Sequence, residues 1–392
     1  MSFINKNPYF PKLIEEELKK LGLKSADDND KKIFYCDISY GNRNNPSFQK
    51  CEIVNQLANV NPLGNKKEQY NHHLNYYKER PDYIPFTMSF HRNNTDAIHD
   101  LFLNTPGESP NIFILKPENG LSRGGVGIVR NNLEFETHLN NNPEYKEWIV
   151  QEYIDHPLLF KNKKFHFRVY VIYMQTDNMQ VAYLSRKGFI YTANKEFNKD
   201  SYERDVVLSG ENSLNNVHYI PDDFYSEFGK QVWENKVWPQ IVKITRETLK
   251  STLDYLNCPA KGQKCFKILG YDILIDKDYK CYLAEINARN VSYKYPNQKF
   301  RDTFYKNILK LVLEKEPLST KELKKKGLPY ERILYKYDGN MIEGFNGIVR
   351  MSQIEFQKIM ESSKTFNRWF WNLFYPFLLI VIFIITYQLG KK

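Results

Sequence analysis

The sequence of 392 residues predicts an α+β (α/β) protein followed by one apolar C-terminal helix. Three observations carry that reading. Segments 111–117 and 147–154 read as strands, the second of them buried, and 165–174 alternates with period two, as strands do. Segments 69–78, 234–256 and 299–313 have helical period and lie between the strands, so the two kinds of element are interspersed. The run 369–389 carries no charge and is as long as a membrane span.

The elements follow in order. Residues 11–21 form an amphipathic helix, 25–30 a polar turn and 32–38 a short strand. Residues 41–46 are loop, 55–67 are turn-rich, and 82–90 are extended around Pro85. The strand 111–117 ends on Lys116 and Pro117; a glycine loop then turns back into the strand 126–130. Strand 147–154 leads into 155–159, and strands 165–174 and 181–185 flank a turn at 176–178. Strands 266–275 and 281–286 flank the turn 276–280. Residues 320–337 are dense in Lys and Arg, and 339–347 are turn-rich, so 318–367 reads as a basic stalk. Its charge run is a solvated face or, lying ahead of an apolar segment, a surface for anionic lipid.

Composition narrows the partners without choosing one. Hydrophobic residues make up 42% and aromatics 15%, ample for buried cores. The net charge of +10 suits a nucleotide, nucleic acid, anionic lipid or acidic protein tail. No nucleic-acid module is recognisable, so no nucleic-acid partner is expected. The five cysteines (36, 51, 258, 265 and 281) form no C-x-x-C pair, and free thiols in a reducing compartment are expected. The first residues lack an apolar signal-peptide core, which predicts a cytoplasmic catalytic body. As a helix, residues 369–389 would be about 31 Å long, matching a hydrocarbon core of about 30 Å. Arg368 precedes the run, Lys391 and Lys392 follow it, and Trp369, Trp371, Tyr375 and Tyr387 sit at its ends like interfacial belts. The expectation is a single-pass tail anchor.

Three segments carry chemistry. In the first, a strand delivers Lys116 to a loop containing Gly120, Gly124, Gly125 and Gly127. Glycines let the backbone approach closely and turn its N–H groups on phosphate, and Lys116 adds a point charge. A plain hairpin with a glycine turn reads the same way. In the second, the apolar strand ending in Gln151, Glu152 and Ile154 breaks into a linker that offers backbone groups to an adenine edge. Strand parity then puts Lys164, His166 and Arg168 on one face, where they meet an anion or ion-paired neighbours. In the third, Asp272 lies in an apolar strand and Glu285 and Asn287 share a face of its hairpin partner. Such oxygens suit Mg²⁺, or a structural pair with Arg168 or Arg289.

Taken in order, Lys116 with its glycine loop, the stretch VQEYIDHPLL, KFHFRVY and GYD…LAEIN resemble the tubulin-tyrosine ligase-like family of the ATP-grasp superfamily. The stretches SRKGFIYT (185–192) and YIPFT (83–87) add to the resemblance, which covers about 55–313. It implies an ATP-grasp fold: 1–92 an N-terminal domain, 93–153 the central subdomain, 154–317 the C-terminal subdomain with the metal site, 318–367 the stalk and 368–390 the anchor. It implies ATP and Mg²⁺ as cofactors. Lys116, Gly124, Gly125, Gly127, Gln151, Glu152, Ile154, Lys164 and His166 would bind nucleotide, and Asp272, Glu285 and Asn287 the metal. Lys164, Arg168 and Arg186 would act on the reacting phosphoryl and acyl groups, and Arg186 and Arg289 would meet substrate carboxylate. The implied reaction joins an amino acid (Tyr, Glu or Gly) to an acidic protein carboxylate, such as a tubulin tail, through an acyl phosphate, in a monomer. His166, where the family commonly has Asp, and Arg289 and Asn290, where it usually has small residues or proline, depart from the pattern. Alternatives are a ligase of a small peptide or metabolite and an inactive membrane-tethered module that binds acidic tails.

Overall fold

The computed structural model describes residues 2–6, 11–25, 33–38, 50–103, 112–118, 124–210, 216–288, 298–342, 344–345 and 348–349. The chain divides into a unit Met1–Gly339 and a second unit Asn340–Lys392. In the second, the described residues include an antiparallel pair, Gly344–Phe345 with Ile348–Val349. The expected anchor (368–390) and residues 351–367 of the expected stalk lie outside the described residues. Among the described residues, no helix is long and apolar enough to cross a membrane.

The first unit begins with β1 (Ser2–Lys6), α1 (Pro11–Lys20), β2 (Lys24–Ser25), β3 (Ile33–Ile38) and β4 (Cys51–Val54), followed by α2 (Asn61–Gly64) and α3 (Lys66–Tyr77). A smaller antiparallel sheet comes next, from β5 (Thr87–His91), β6 (Phe113–Pro117), β7 (Gly127–Val129) and β8 (Glu147–Glu152), in the order β5-β8-β6-β7. Helices α4 (Asp96–Leu103) and α5 (Asn132–Asn140) cover one of its faces through Ile98, Phe135 and Leu139, against Phe113, Leu115, Trp148 and Val150.

The large sheet is built on two long neighbours, β10 (Lys163–Gln175) and β14 (Lys264–Ile275). On one side β10 pairs with β11 (Met179–Ser185) and β12 (Gly188–Thr192), and at its start with β9 (Leu159–Phe160). Strand β13 (Val217–Ile220) extends β12, and β15 (Cys281–Asn287) returns along β14. Beyond β14 lie β4, β3, β1 and β2, all parallel.

Both faces of this sheet are covered, so β10 is buried almost throughout and its two faces belong to different cores. Phe165, Phe167 and Val169 meet α7 (Asp222–Phe228), α8 (Lys230–Val232), a π-helical turn (Trp233–Val237) and α9 (Trp238–Lys250), short helix α6 (Arg204–Val207) having come earlier. Tyr170, Ile172 and Met174 meet α1 and α10 (Gln298–Val312). Thr245 and Thr248 are tolerated on the buried face of α9 because each hydroxyl donates to the carbonyl four residues back, at 2.8 Å.

Two expectations are corrected. The lysine-rich stretch is no stalk over 320–337: it forms α11 (Thr320–Lys325) and β16 (Tyr330–Tyr337), and β16 pairs antiparallel with β11 in the large sheet. The reason is that Leu323, Leu328, Tyr330, Ile333 and Leu334 alternate with the charges and are buried, so the lysines are the outer side of a core element. The cysteines are not all free thiols. Cys258 and Cys265 are joined across the turn before β14, with Cα atoms 5.5 Å apart, and Cys51 is also disulfide-bonded, while Cys281 is a buried thiol.

Candidate active site

The two sheets meet where the chain crosses between them. Leu158 N–H donates to Ile275 O at 3.0 Å, and Leu283 N–H to Tyr83 O at 2.9 Å. Beside these crossings lies an open cleft lined by Lys66, Gln69, Thr87, Lys116, Gln151 and Leu283, among others.

Among the charged residues beside it, register decides the contacts. Arg168 of β10 stands opposite Asp272 of β14, and Asp272 opposite Glu285 of β15, at a bulge that begins after Asp272. The Arg168 guanidinium grips Asp272 with Nε on Oδ1 and with Nη2 on Oδ2 at 3.0 Å. Asn287 Nδ2 donates to the same Oδ2 at 3.2 Å. His166 Nε2 lies 3.7 Å from Asp272 Oδ1, and its Nδ1 is 2.7 Å from Ser209 Oγ. Two carboxylates side by side on one face repel, and the cations around them remove the cost. Lys66 Nζ is 3.5 Å from Glu285 Oε2. Burial pushes the Glu285 carboxyl up, but Lys66, Lys116 and Arg168 outweigh it and hold the group well below the usual carboxylate range.

Two lysines complete the cluster. Burial pushes the Lys116 ammonium down to about 8, with Lys66 adding to the effect and Glu285 and Asp272 opposing it. Its Nζ donates to Gln151 Oε1 at 2.7 Å, and Gln151 Nε2 donates to Thr87 Oγ1 at 2.9 Å. Burial likewise pushes Lys164 down to about 7, opposed by Asp155 and reinforced by Lys116. Lys164 Nζ donates to Ile154 O at 3.2 Å and sits 3.6 Å from the centre of the Tyr153 ring. Burial works against the Arg168 charge too, yet Asp272 more than restores it, and the guanidinium holds its proton more tightly than usual.

Of the glycine loop, residues 124–127 are described. Gly125 has φ of +67°, and a Cβ there would lie 2.7 Å from Pro117 and Tyr145, so only glycine fits. A Cβ on Gly127 would lie 2.3 Å from the His138 ring. Gly124 is partly exposed at the turn itself.

The predicted residues therefore fall into groups. Lys116, Gln151, Ile154, Lys164, His166, Arg168, Asp272, Glu285 and Asn287 are joined by direct contacts or by the field of their charges. Glu152 does not join them: its side chain is exposed and accepts from Phe86 N–H at 3.1 Å, and its own N–H donates to Phe86 O at 2.8 Å. Arg186 does not join them. It lies between Glu234 and Glu331, 3.0 Å from each, over the Trp238 ring, on the face covered by α9. The turn from β11 into β12 carries it there, and two carboxylates hold it. Arg289 lies outside the described residues. Sequence reading missed Lys66, a lysine at a helix start with no motif around it, and Thr87, whose stretch was matched without a role.

The oxygen set fits a hard cation. Glu285 is ionised, Asn287 keeps its amide oxygen, and Asp272 retains lone pairs beyond those used by Arg168 and Asn287. Among the described residues, no group of three or more His, Cys, Asp or Glu gathers to hold a metal unaided, so phosphate and water would fill the other positions.

Known proteins match part of the chain. Tubulin glycylase 3D of Tetrahymena thermophila is 27% identical over 229 residues, 54% of this chain and 21% of that protein. Tubulin polyglutamylase TTLL7 of Homo sapiens is 24% identical over 303 residues, 69% of this chain and 33% of that protein. Tubulin glycylase 3C of Tetrahymena thermophila is 25% identical over 273 residues, 62% of this chain and 24% of that protein. The matches thus span about a fifth to a third of these relatives' lengths. The model of the tubulin-tyrosine ligase family matches residues 43–324, which contain every site residue described above, and the chain belongs to that family.

Proposed function

We propose that the chain is an ATP-dependent carboxylate–amine ligase that adds glutamate or glycine to a side-chain carboxylate of an acidic protein segment, of the tubulin-tail kind. The observation that carries this is the gathering of Lys66, Lys116, Lys164 and Arg168 around Asp272, Glu285 and Asn287, beside the cleft that Lys66 and Lys116 line. Such a site binds a polyphosphate and stabilises negative charge as it moves.

The reaction asks the residues for three things. Lys116 and Lys164, whose charge burial disfavours, draw in the triphosphate. Arg168, fixed by Asp272, presents a rigid guanidinium edge at the β10 side of the cleft. When bound to Glu285, Asn287 and Asp272, Mg²⁺ supplies Lewis-acid stabilisation to phosphate oxygens. The acceptor carboxylate takes the γ-phosphoryl group, giving acyl phosphate and ADP. The amino acid's amine then attacks the acyl carbon and phosphate leaves, forming the amide. Arg186 has no part in this reading, because Glu234 and Glu331 occupy it.

Residues 369–389 are proposed as a membrane anchor for this activity, on the strength of their uncharged length. The test of the activity is mass spectrometry of a Glu-rich acceptor peptide incubated with the chain, MgATP and all twenty amino acids. A mass gain of one or more glutamyl or glycyl residues is expected. Gain of neither, with ATP present and the chain folded, overturns the reading.

A further inference from the structure

We infer that His138 is a positioning residue for nucleotide binding: it fixes the peptide between Gly125 and Val126 so that its N–H serves the phosphate site. The inference rests on the nucleotide reading given above and adds a residue that no motif singled out.

The chain of cause begins in α5. Asn131 caps it by accepting from Glu134 N–H at 2.9 Å, and Phe135 and Leu139 bury its inner face on the small sheet. The helix is therefore a fixed platform. From its last turn, His138 reaches Gly125 O at 2.7 Å through Nε2. A carbonyl only accepts, so Nε2 carries the hydrogen. The ring is held edge-on to Trp148 with centroids 5.6 Å apart, and it fills the space where a Cβ of Gly127 would stand.

Peptide geometry gives the consequence. In a trans peptide the C=O and N–H point in opposite directions. With the Gly125 carbonyl drawn to His138, the Val126 N–H points away from it. Helix α5 lies on the face of the small sheet that holds Phe113 and Leu115. Lys116 and Gln151 belong to the opposite face, which borders the cleft. The N–H is thus directed to the side from which Lys116 meets phosphate, and a second donor is set without a second charged side chain. Gly127 is glycine for the same reason: any side chain would displace the ring that holds the loop.

Equilibrium binding of MgATP to the full chain, with steady-state KM and kcat, tests this. His138→Leu keeps bulk but removes the donor, and should weaken MgATP binding and raise its KM about tenfold, the worth of roughly one hydrogen bond, with kcat changed less than about twofold. His138→Gln restores an N–H at similar reach and should recover most of the loss. Gly127→Ala, which forces the ring aside, should weaken binding like His138→Leu and carries the test should the leucine variant melt early. Wild-type binding in both His138→Leu and Gly127→Ala overturns the inference. Equal losses in the Leu and Gln variants also overturn it, since packing alone would then explain them. A wild-type chain that binds no MgATP overturns the nucleotide reading itself, and this inference with it.

Discussion

Lys164 and Arg168 share a strand face yet keep different protonation habits, and the difference follows from their partners. Arg168 has a carboxylate in its grip, while Lys164 has a carbonyl and a ring face. Both Lys164, at about 7, and Lys116, at about 8, are poised to lose charge near neutral pH. A polyphosphate would favour the ammonium forms and raise both values. ATP binding at pH 8 should therefore take up protons, and apparent affinity should fall as pH rises from 7 to 9. Calorimetry in buffers of different ionisation enthalpy measures the uptake; no buffer dependence would contradict the assignment. Glu285→Gln keeps the volume but removes a charged ligand, and should abolish ATP turnover while the thermal midpoint stays within a few degrees of wild type. Turnover at the wild-type rate would refute the metal role. At this scale the sequence was informative wherever strand parity decides direction: Lys164, His166 and Arg168, or Glu285 and Asn287. It was silent where a contact joins distant segments, as between Lys66 and Glu285 or His138 and Gly125, because no local pattern records which helix will lie beside which loop. Arg186 misled for a related reason: its position after β11 was clear, but the direction of its side chain was set by Glu234, Glu331 and Trp238.

Element by element, the strands with two buried faces were the easiest to read, since β10 and β14 are largely apolar and mostly buried along their length. Strand β16 was the hardest. Its Glu331, Arg332 and Lys336 gave it the look of a solvated stalk, while buried Tyr330, Ile333 and Leu334 make it a strand of the large sheet that shields β11. The anionic side chain of Glu331 also receives Trp238 Nε1 at 3.0 Å, tying this edge to α9. A chain ended after Gly339 should fold and keep ligase activity, since it retains the whole first unit. One ended after Pro317 should lose the β11 pairing, expose Tyr183 and Leu184, and aggregate. Size-exclusion profiles of the two separate the outcomes; a soluble, active chain ending at Pro317 would show that β16 is dispensable.

For the molecule as a whole, the site is a cationic cleft in a chain of net charge +10 that belongs to a family whose matched members carry tubulin-modifying names. An acidic acceptor would be drawn by the general field, which is screened over about 8 Å at physiological salt, and held by groups that salt screens less. Its KM should rise with ionic strength while kcat changes little. The most direct measurement compares two acceptors at low salt: a Glu-rich peptide and the same peptide with Gln at every Glu and an amidated C-terminus, each with MgATP, glutamate and glycine. Amino-acid addition and stoichiometric ADP release are expected with the Glu peptide and neither with the Gln peptide, because only a carboxylate can take the γ-phosphoryl group. Equal modification of both, or ADP release without any mass gain on the Glu peptide, would contradict the ligase reading.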